Sequence, residues 1–336
     1  MKTLVFGGST FVGRRTVLDL ARRSHDVAIL NRGVTQVDLP DGIERIVADR
    51  TDNDQMKKAL SRRSFDAVFD VSGFVMVAGG SDIPFLFDLL DGNVGHYVYC
   101  SSITAYEPSG IFPWPETNKL TDAPSNTYGG FKAYVEQLLF DRNRATGFPA
   151  TTVRPAAIYG PDNNIYDMEA PLFMRLARGL PILVPHEGLV TCSYGHVDDL
   201  CRFMGDIAGK DEAKGEAFNL SDTAVTVNHY VNTLAEIAGK EPDIVYVPKE
   251  KLSTYTRPVF GHLFGVAHHC ELSMAKAQEM FGHENEYDFR KGHEHTFEWF
   301  IEKGWAEIEE TLRDPLWQTS YDFELEAKAA AEIRGS

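Results

Sequence analysis

The chain has 336 residues, 43% of them hydrophobic and 24% charged, which is enough for a sizeable core and two linked lobes. Its formal net charge of −16 argues against a nucleic-acid partner, because binding a phosphate backbone calls for a basic footprint. The four cysteines lack C-x-x-C spacing, so neither a zinc site nor a redox pair is suggested, and a reducing, cytoplasmic setting is expected. No apolar run reaches membrane length, since Phe74 to Leu90 is interrupted by Gly79-Gly80-Ser81-Asp82. The N-terminal apolar run is too short for a signal peptide and is needed as a strand. His268-His269 and His293-x-His295 read as histidines of loops or solvated helix faces, so no metal is expected.

In chain order, Lys2 to Phe6 is a predicted strand that leads into Gly7-Gly8-Ser9-Thr10-Phe11-Val12-Gly13. Arg14 to Arg23 then has helical spacing through Val17, Leu18 and Ala21. Strand, Gly-rich turn and helix form the context of a dinucleotide site, with N–H groups at the helix start facing a pyrophosphate. The expected cofactor contacts of this turn are Gly7, Ser9, Thr10, Phe11, Val12 and Gly13. A second strand, Val27 to Leu30, ends at Asn31-Arg32, where the adenosine ribose is normally read. A third, Arg45 to Ala48, ends at Asp49-Arg50, and a fourth, Ala67 to Val71, runs into Ser72-Gly73. Tyr97 to Tyr99 and Ala150 to Val153 continue the series. Such alternation predicts an α/β fold, a Rossmann-type doubly wound parallel sheet whose carboxyl edge binds ligands.

Beyond the fifth strand come Ser101-Ser102 and then Tyr128-Gly129-Gly130-Phe131-Lys132. Tyr128 and Lys132 are four apart and share a helix face, and an ammonium beside a phenol favours the phenolate. Tyr128 is thus a candidate proton donor and acceptor, with Ser102 placed to hydrogen-bond the reacting oxygen. Thr104 and Tyr106 follow Ser102 off the same strand end and are candidate substrate contacts. Asn126 either lines that pocket or caps the tyrosine helix. After Gly160 the character changes. Ala170 to Arg178, Val225 to Ala238, Met274 to Phe281 and Phe297 to Ile301 read as helical. The tail, Ala306 to Ser336, is charged, helix-prone and broken at Pro315; it wraps the body or contacts a partner.

These motifs, with Cys100 to Tyr106, Glu136, Arg154 to Pro161, His196-Val197-Asp198-Asp199 and Phe218-Asn219-Leu220, resemble the extended short-chain dehydrogenases/reductases. The type is the NAD-dependent epimerase/dehydratase family, and the likeness runs from residue 1 to about 305. It implies a Rossmann domain over 1–165 to which the chain returns around 195–225. A smaller substrate-binding lobe over 166–194 and 226–305 follows, and then the tail 306–336. It also implies that Ser102, Tyr128 and Lys132 are catalytic. Tyr128 would be the acid/base, Lys132 would hold the nicotinamide ribose and lower the phenol pKa, and Ser102 would polarise the substrate oxygen. Ser72 and Gly73 would border the cofactor, Asp49 would meet the adenine edge, and Arg50 would lie beside it. Relatives often form homodimers through the tyrosine helix, and Tyr134, Val135 and Leu139 are candidates for that face. Some plastid relatives are associated with RNA, which the acidic balance here opposes.

The resemblance also makes the departures informative. Asn31-Arg32 replaces the acidic residue that many NAD users carry, so NADP or NAD is expected, with NADP preferred through Arg32 on a 2′-phosphate. Ile103-Thr104 stands where 4,6-dehydratases carry Asp-Glu, which removes the acid and base for eliminating water. Ala157 and Cys192 stand where UDP-sugar enzymes commonly place Asn and Arg anchors. The expected activity is NAD(P)-dependent hydride transfer at a secondary alcohol or ketone of a sugar-like or small carbonyl substrate. A nucleotide-sugar epimerase that retains its cofactor is the alternative within the enzymes. A catalytically idle cofactor sensor or scaffold is the alternative outside them.

Overall fold

Short buried apolar runs separated by amphipathic segments build the architecture, and the chain order shows where the site is assembled. The computed structural model describes residues 1–72, 79–164, 168–255, 268–312 and 321–335, with the backbone only at 311 and 312. The elements begin β1 (Lys2–Phe6), α1 (Phe11–Arg22), β2 (Asp26–Asn31), β3 (Glu44–Val47) and α2 (Asn53–Leu60). Next come β4 (Ala67–Asp70), α3 (Ile83–Leu90), β5 (Tyr97–Cys100), α4 (Tyr128–Thr146) and β6 (Ala150–Pro155). The chain continues through β7 (Ala157–Tyr159), α5 (Glu169–Arg178), β8 (Pro181–Val184), β9 (Thr191–His196), α6 (Val197–Ile207) and β10 (Ala217–Leu220). It ends with β11 (Ala224–Thr226), α7 (Val227–Ala238), β12 (Asp243–Tyr246), α8 (Ala275–Phe281), α9 (Phe289–Lys303), α10 (Trp305–Leu312) and α11 (Phe323–Arg334). No helix among the described residues is long and apolar enough to cross a membrane.

Two compact units result. Unit 1 comprises Met1–Ala156, Val197–Ser221 and Leu272–Glu286, and unit 2 comprises Ala157–His196, Asp222–Glu271 and Tyr287–Ser336. In unit 1 a seven-stranded sheet runs in the order β10-β6-β5-β4-β1-β2-β3, with every neighbour parallel. The order reverses between β1 and β4, the place where open α/β sheets leave a ligand crevice. β1, β4 and β5 are buried along nearly their whole length, as strands covered on both faces must be. Leu4, Phe6, Leu30, Val68, Phe87, Tyr97, Phe131 and Phe148 belong to one core cluster. Val135 and Leu139 of α4 lie in that same cluster, so of the residues considered for a dimer face only Tyr134 is exposed.

Unit 2 holds β11-β9-β7, with β9 antiparallel to β11 and parallel to β7, and the parallel pair β12-β8. Its core gathers Phe173, Leu183, Tyr194, Tyr230, Phe289 and Phe300. The two units differ from the expected division in three places, the first being that the chain from Ala157 onward, with β7, belongs to unit 2 rather than to the dinucleotide-binding domain expected over 1–165. Residues 272–286, with α8, belong to unit 1 rather than to the smaller lobe. The tail, for its part, does not stand apart: Ala329 and Ala330 of α11 join the unit 2 core, and Glu326 accepts a buried 2.6 Å bond from Arg175 Nε. Pro315 lies outside the described residues. His293 is also not on a solvated face. It is fully buried and stacks on Tyr159 at 3.8 Å, and burial pushes its imidazole down to about 3.

Glu169 opens α5 with no solvent exposure, accepting from the Gly160 N–H at 3.1 Å and from Asn163 Nδ2 at 2.9 Å. Burial outweighs these bonds and pushes its carboxyl up to about 7. A folded-state value above the unfolded one gives stability that is complete below about 4.5 and is lost as pH rises through about 7. We therefore expect Glu169→Gln to flatten the stability profile and to gain about 3 kcal/mol on the wild type between mildly acidic and mildly alkaline buffer. Urea unfolding across that window checks it, and parallel profiles for the two proteins would remove the assignment.

Candidate functional site

The site residues come from the strand ends of unit 1. The turn after β1 begins with Gly7 at φ 100° and Gly8 at φ 83°, conformations that disfavour a side chain. A Cβ on Gly13 would come within 2.6 Å of the Gly8 nitrogen, so the helix can approach the turn only because position 13 lacks one. Phe11 opens α1 at φ 36°, a strained value for a non-glycine residue and a feature of functional turns. Thr10 is the N-cap residue, yet its side chain makes no capping bond, and α1 carries no acid in its first turn. Helix-start N–H groups without a competing carboxylate fit a pyrophosphate. Gly7, Ser9, Thr10, Phe11, Val12 and Gly13 thus form one continuous cradle at the β1 end.

Asn31 holds this cradle in shape. Its Nδ2 donates to Ser9 Oγ at 2.6 Å, and its Oδ1 accepts from the Gly33 N–H at 2.8 Å. The neighbouring Arg32 is exposed, and its charge reaches Asp49. Asp49 accepts from the Thr51 N–H and hydroxyl at 2.9 and 2.8 Å, bonds that hold its carboxyl below the usual range. Arg50 turns inward instead. It is 9% exposed and donates to both Asp70 oxygens, at 2.9 and 3.1 Å, and to Ser72 Oγ at 2.7 Å. Asp70 also accepts from the Tyr97 hydroxyl at 2.6 Å. A buried carboxylate in an otherwise apolar strand is itself a sequence signal for a partner, and reading Asp70 as plain strand missed it. Gly73 lies outside the described residues.

At the end of β5, Ser102 caps a short 3₁₀ turn, with its Oγ accepting from the Thr104 N–H at 3.2 Å and from Thr104 Oγ1 at 2.9 Å. Ser102 acts on the Tyr128 phenol and pulls its pKa down. Gly129 makes this approach possible, because a Cβ there would stand 2.2 Å from the Thr104 carbonyl oxygen. Lys132 is buried and donates from Nζ to the Cys100 carbonyl at 2.6 Å, with Nζ 4.9 Å from the Tyr99 ring centre and 5.7 Å from that of Tyr128. Burial pulls its ammonium down, while the nearby Asp70 and Glu136 charges hold it up. Ser102, Tyr128 and Lys132 therefore stand together.

The electrostatics correct one expectation. Although Tyr128 keeps part of its surface exposed, its phenol is pushed up to about 12, by desolvation first and the Cys100 thiol second, and Ser102 opposes that only in part. Lys132 is not among the groups that shift it, and its ammonium donates to the Cys100 carbonyl. Two further placements differ. Thr127, and not Asn126, caps α4, accepting from the Gly130 N–H; Asn126 is exposed. Tyr106 is 2% exposed, with its hydroxyl accepting from Arg154 at 2.8 Å and donating to Asn219 at 2.7 Å. That hydroxyl is occupied by the interior, whereas Thr104 is exposed beside Ser102.

A buried ion pair supports the whole edge. Arg154 of β6 grips Glu136 of α4 from Nη2 at 2.6 Å and Nε at 2.9 Å, and Ser101 donates to the same carboxylate. Arg154 also bonds the Glu116 carbonyl, and Asn219 bonds the Trp114 and Ser273 carbonyls. The scattered residues Ser101, Tyr106, Glu136, Arg154 and Asn219 are thus one polar network. In unit 2, Ala157 pairs with Tyr194 on β9, and Cys192 lies two residues before it.

Comparison with known proteins identifies the family and the fold. A chloroplast stem-loop binding protein of Arabidopsis thaliana is 29% identical over 306 residues, covering 87% of this chain and 77% of that one. A 2′-dehydrokanamycin reductase of Streptomyces kanamyceticus is 26% identical over 224 residues, covering 66% and 62%. The fold is shared with a UDP-glucose 4-epimerase of Thermus thermophilus, solved in complex with NAD. That match has a TM-score of 0.72 at 21% identity and covers 90% of this chain and 99% of that one. The family model for the NAD dependent epimerase/dehydratase family matches residues 3–83 and 86–221, across the cradle, the Ser102–Tyr128–Lys132 group and the Arg154 network. The chain belongs to the NAD dependent epimerase/dehydratase family.

Proposed function

We propose that the protein is an NAD(P)-dependent oxidoreductase that transfers hydride at a secondary alcohol or ketone of a sugar-like or small carbonyl substrate. The observation that carries this reading is the convergence of Ser102, Tyr128 and Lys132 at the end of β5, with Ser102 acting on the Tyr128 phenol and Lys132 Nζ 5.7 Å from the centre of its ring. The cradle of Gly7 to Gly13 would hold the pyrophosphate, with Asn31, Arg32, Asp49 and Ser72 around the adenosine side and Tyr128 and Lys132 toward the ribose of the nicotinamide. The nicotinamide, when bound, supplies or accepts the hydride. Ser102 orients the substrate oxygen, and Tyr128 gives that oxygen its proton as the carbonyl becomes an alcohol. A phenol held near 12 keeps its proton through the neutral range, so Tyr128 enters the reductive half-reaction as the proton donor to the forming alkoxide. The reductase among the relatives supports the same direction.

A second reading, the retained-cofactor epimerase, draws on the epimerase whose fold this chain shares. Ala157 and Cys192, which offer no charged donor to a sugar nucleotide, weigh against it. A third, stem-loop binding, comes from the name of the Arabidopsis relative. The net charge of −16 weighs against that one.

Tyr128→Phe should lower nicotinamide-linked turnover about 10²- to 10⁴-fold while leaving cofactor affinity unchanged, as read by cofactor fluorescence titration. Turnover preserved in that variant would end the acid/base assignment. Arg32→Ala should weaken NADP at least tenfold more than NAD, and equal losses for both would sink the 2′-phosphate role. In a gel-shift experiment at about 0.15 M salt, no retardation of an RNA stem-loop is expected; a shift that disappears at high salt would restore nucleic acid as a ligand.

A further inference from the structure

Unit 2 contains two of the four cysteines, and they meet although 78 positions (270 minus 192) separate them. Cys192 lies on β9, and Cys270 faces it across an isolated parallel bridge. The register is fixed twice. The Cys270 N–H donates to the Thr191 carbonyl at 2.8 Å, and the Thr191 N–H donates to His269 Nδ1 at 3.1 Å. The two thiols lie close enough to act on each other's titration, and the Ser193 N–H acts on Cys270. Neighbouring strands stand about 4.8 Å apart, inside the ~4.4–6.8 Å Cα separation that a disulfide requires.

The two sulfurs are unequal. Cys192 is 4% exposed and Cys270 partly exposed. Cys270 is the sulfur that solvent reaches, and the neighbouring Cys192 thiol and Ser193 N–H pull its thiol down. An accessible thiol with a lowered pKa beside a second thiol is the arrangement of an attacking and a resolving pair. The other two cysteines lack these features: Cys100 and Cys201 are buried in unit 1, and burial raises both thiols.

We propose that Cys192 and Cys270 form a peroxide-oxidised, reversible disulfide site on β9 of unit 2. The Cys270 thiolate attacks a hydroperoxide oxygen, the O–O bond breaks, and sulfenic acid and one water (or alcohol) result. Cys192 sulfur then attacks the sulfenic sulfur, the S–S bond forms, and the hydroxyl leaves as water with the Cys192 proton. Two electrons pass from the thiol pair to the peroxide.

The test treats the full chain with about one equivalent of hydrogen peroxide, alkylates the remaining thiols and maps peptides without reduction. The expected product is a peptide cross-linking Cys192 to Cys270, with half of the four thiols lost and all recovered by dithiothreitol. Cys270→Ser should yield no cross-link and leave Cys192 alkylated. In Cys192→Ser, Cys270 should be trapped by dimedone as a sulfenic acid. A cross-link through Cys100 or Cys201 would overturn the proposal. So would Cys270 oxidised to sulfinic acid in the wild type while Cys192 stays free.

Discussion

The buried pair of Glu136 and Arg154 is the constraint on which the rest of the site depends. Removing two such charges from water costs several kcal/mol for each ion, and only close geometry offsets it. Here the guanidinium reaches the carboxylate from two nitrogens, Ser101 adds a donor, and Tyr106 and the Glu116 carbonyl accept from the third nitrogen, Nη1. Glu136 lies on α4 and Arg154 on β6, so the pair fastens the helix to the sheet. Tyr128, Lys132 and Glu136 are successive fourth residues on that helix. One polar stripe therefore faces the carboxyl edge, each member held by a different partner: Ser102, the Cys100 carbonyl and Arg154. Loss of the last anchor would leave an unpaired charge in the core and free the other two.

A second buried pair, Arg50 and Asp70, sits at the switch in strand order and acts through its field. Asp70 helps keep Lys132 charged despite its burial, and Lys132 in turn holds the Asp70 carboxyl down. Arg50 also fixes Ser72 Oγ at the crevice. The site thus sets a buried amine, whose charge Asp70 and Glu136 support against the pull of burial, beside a phenol that stays protonated. That combination suits proton donation to a forming alkoxide more than proton removal from an alcohol at neutral pH.

Much of unit 1 was legible from local pattern. Apolar runs marked the strands, glycines marked the turn at residues 7–13, and the four-residue spacing of Tyr128 and Lys132 needed only a helix to bring them together. What escaped was long-range. Arg50 read as a residue of the cofactor edge, because nothing near it in sequence shows that Asp70 draws it inward. Tyr106 read as a pocket residue for the same reason, its hydroxyl being claimed by Arg154 and Asn219. The Tyr128 pKa went the opposite way to expectation, because spacing predicts a neighbour but not which way an ammonium points or how dry its surroundings are. Cysteine spacing likewise gave no hint of a pair that only strand register brings together.

Net hydride transfer is the central claim, and the fate of the label tests it most directly. The protein would be incubated with a panel of keto-sugars, small ketones and sugar nucleotides and with reduced nicotinamide cofactor carrying deuterium at its transferable position. The account predicts that the near-ultraviolet absorbance of the reduced cofactor falls, matched mole for mole by deuterium on the new carbinol carbon. An isomerised sugar nucleotide without deuterium, formed with no loss of absorbance, would contradict it and make the protein an epimerase.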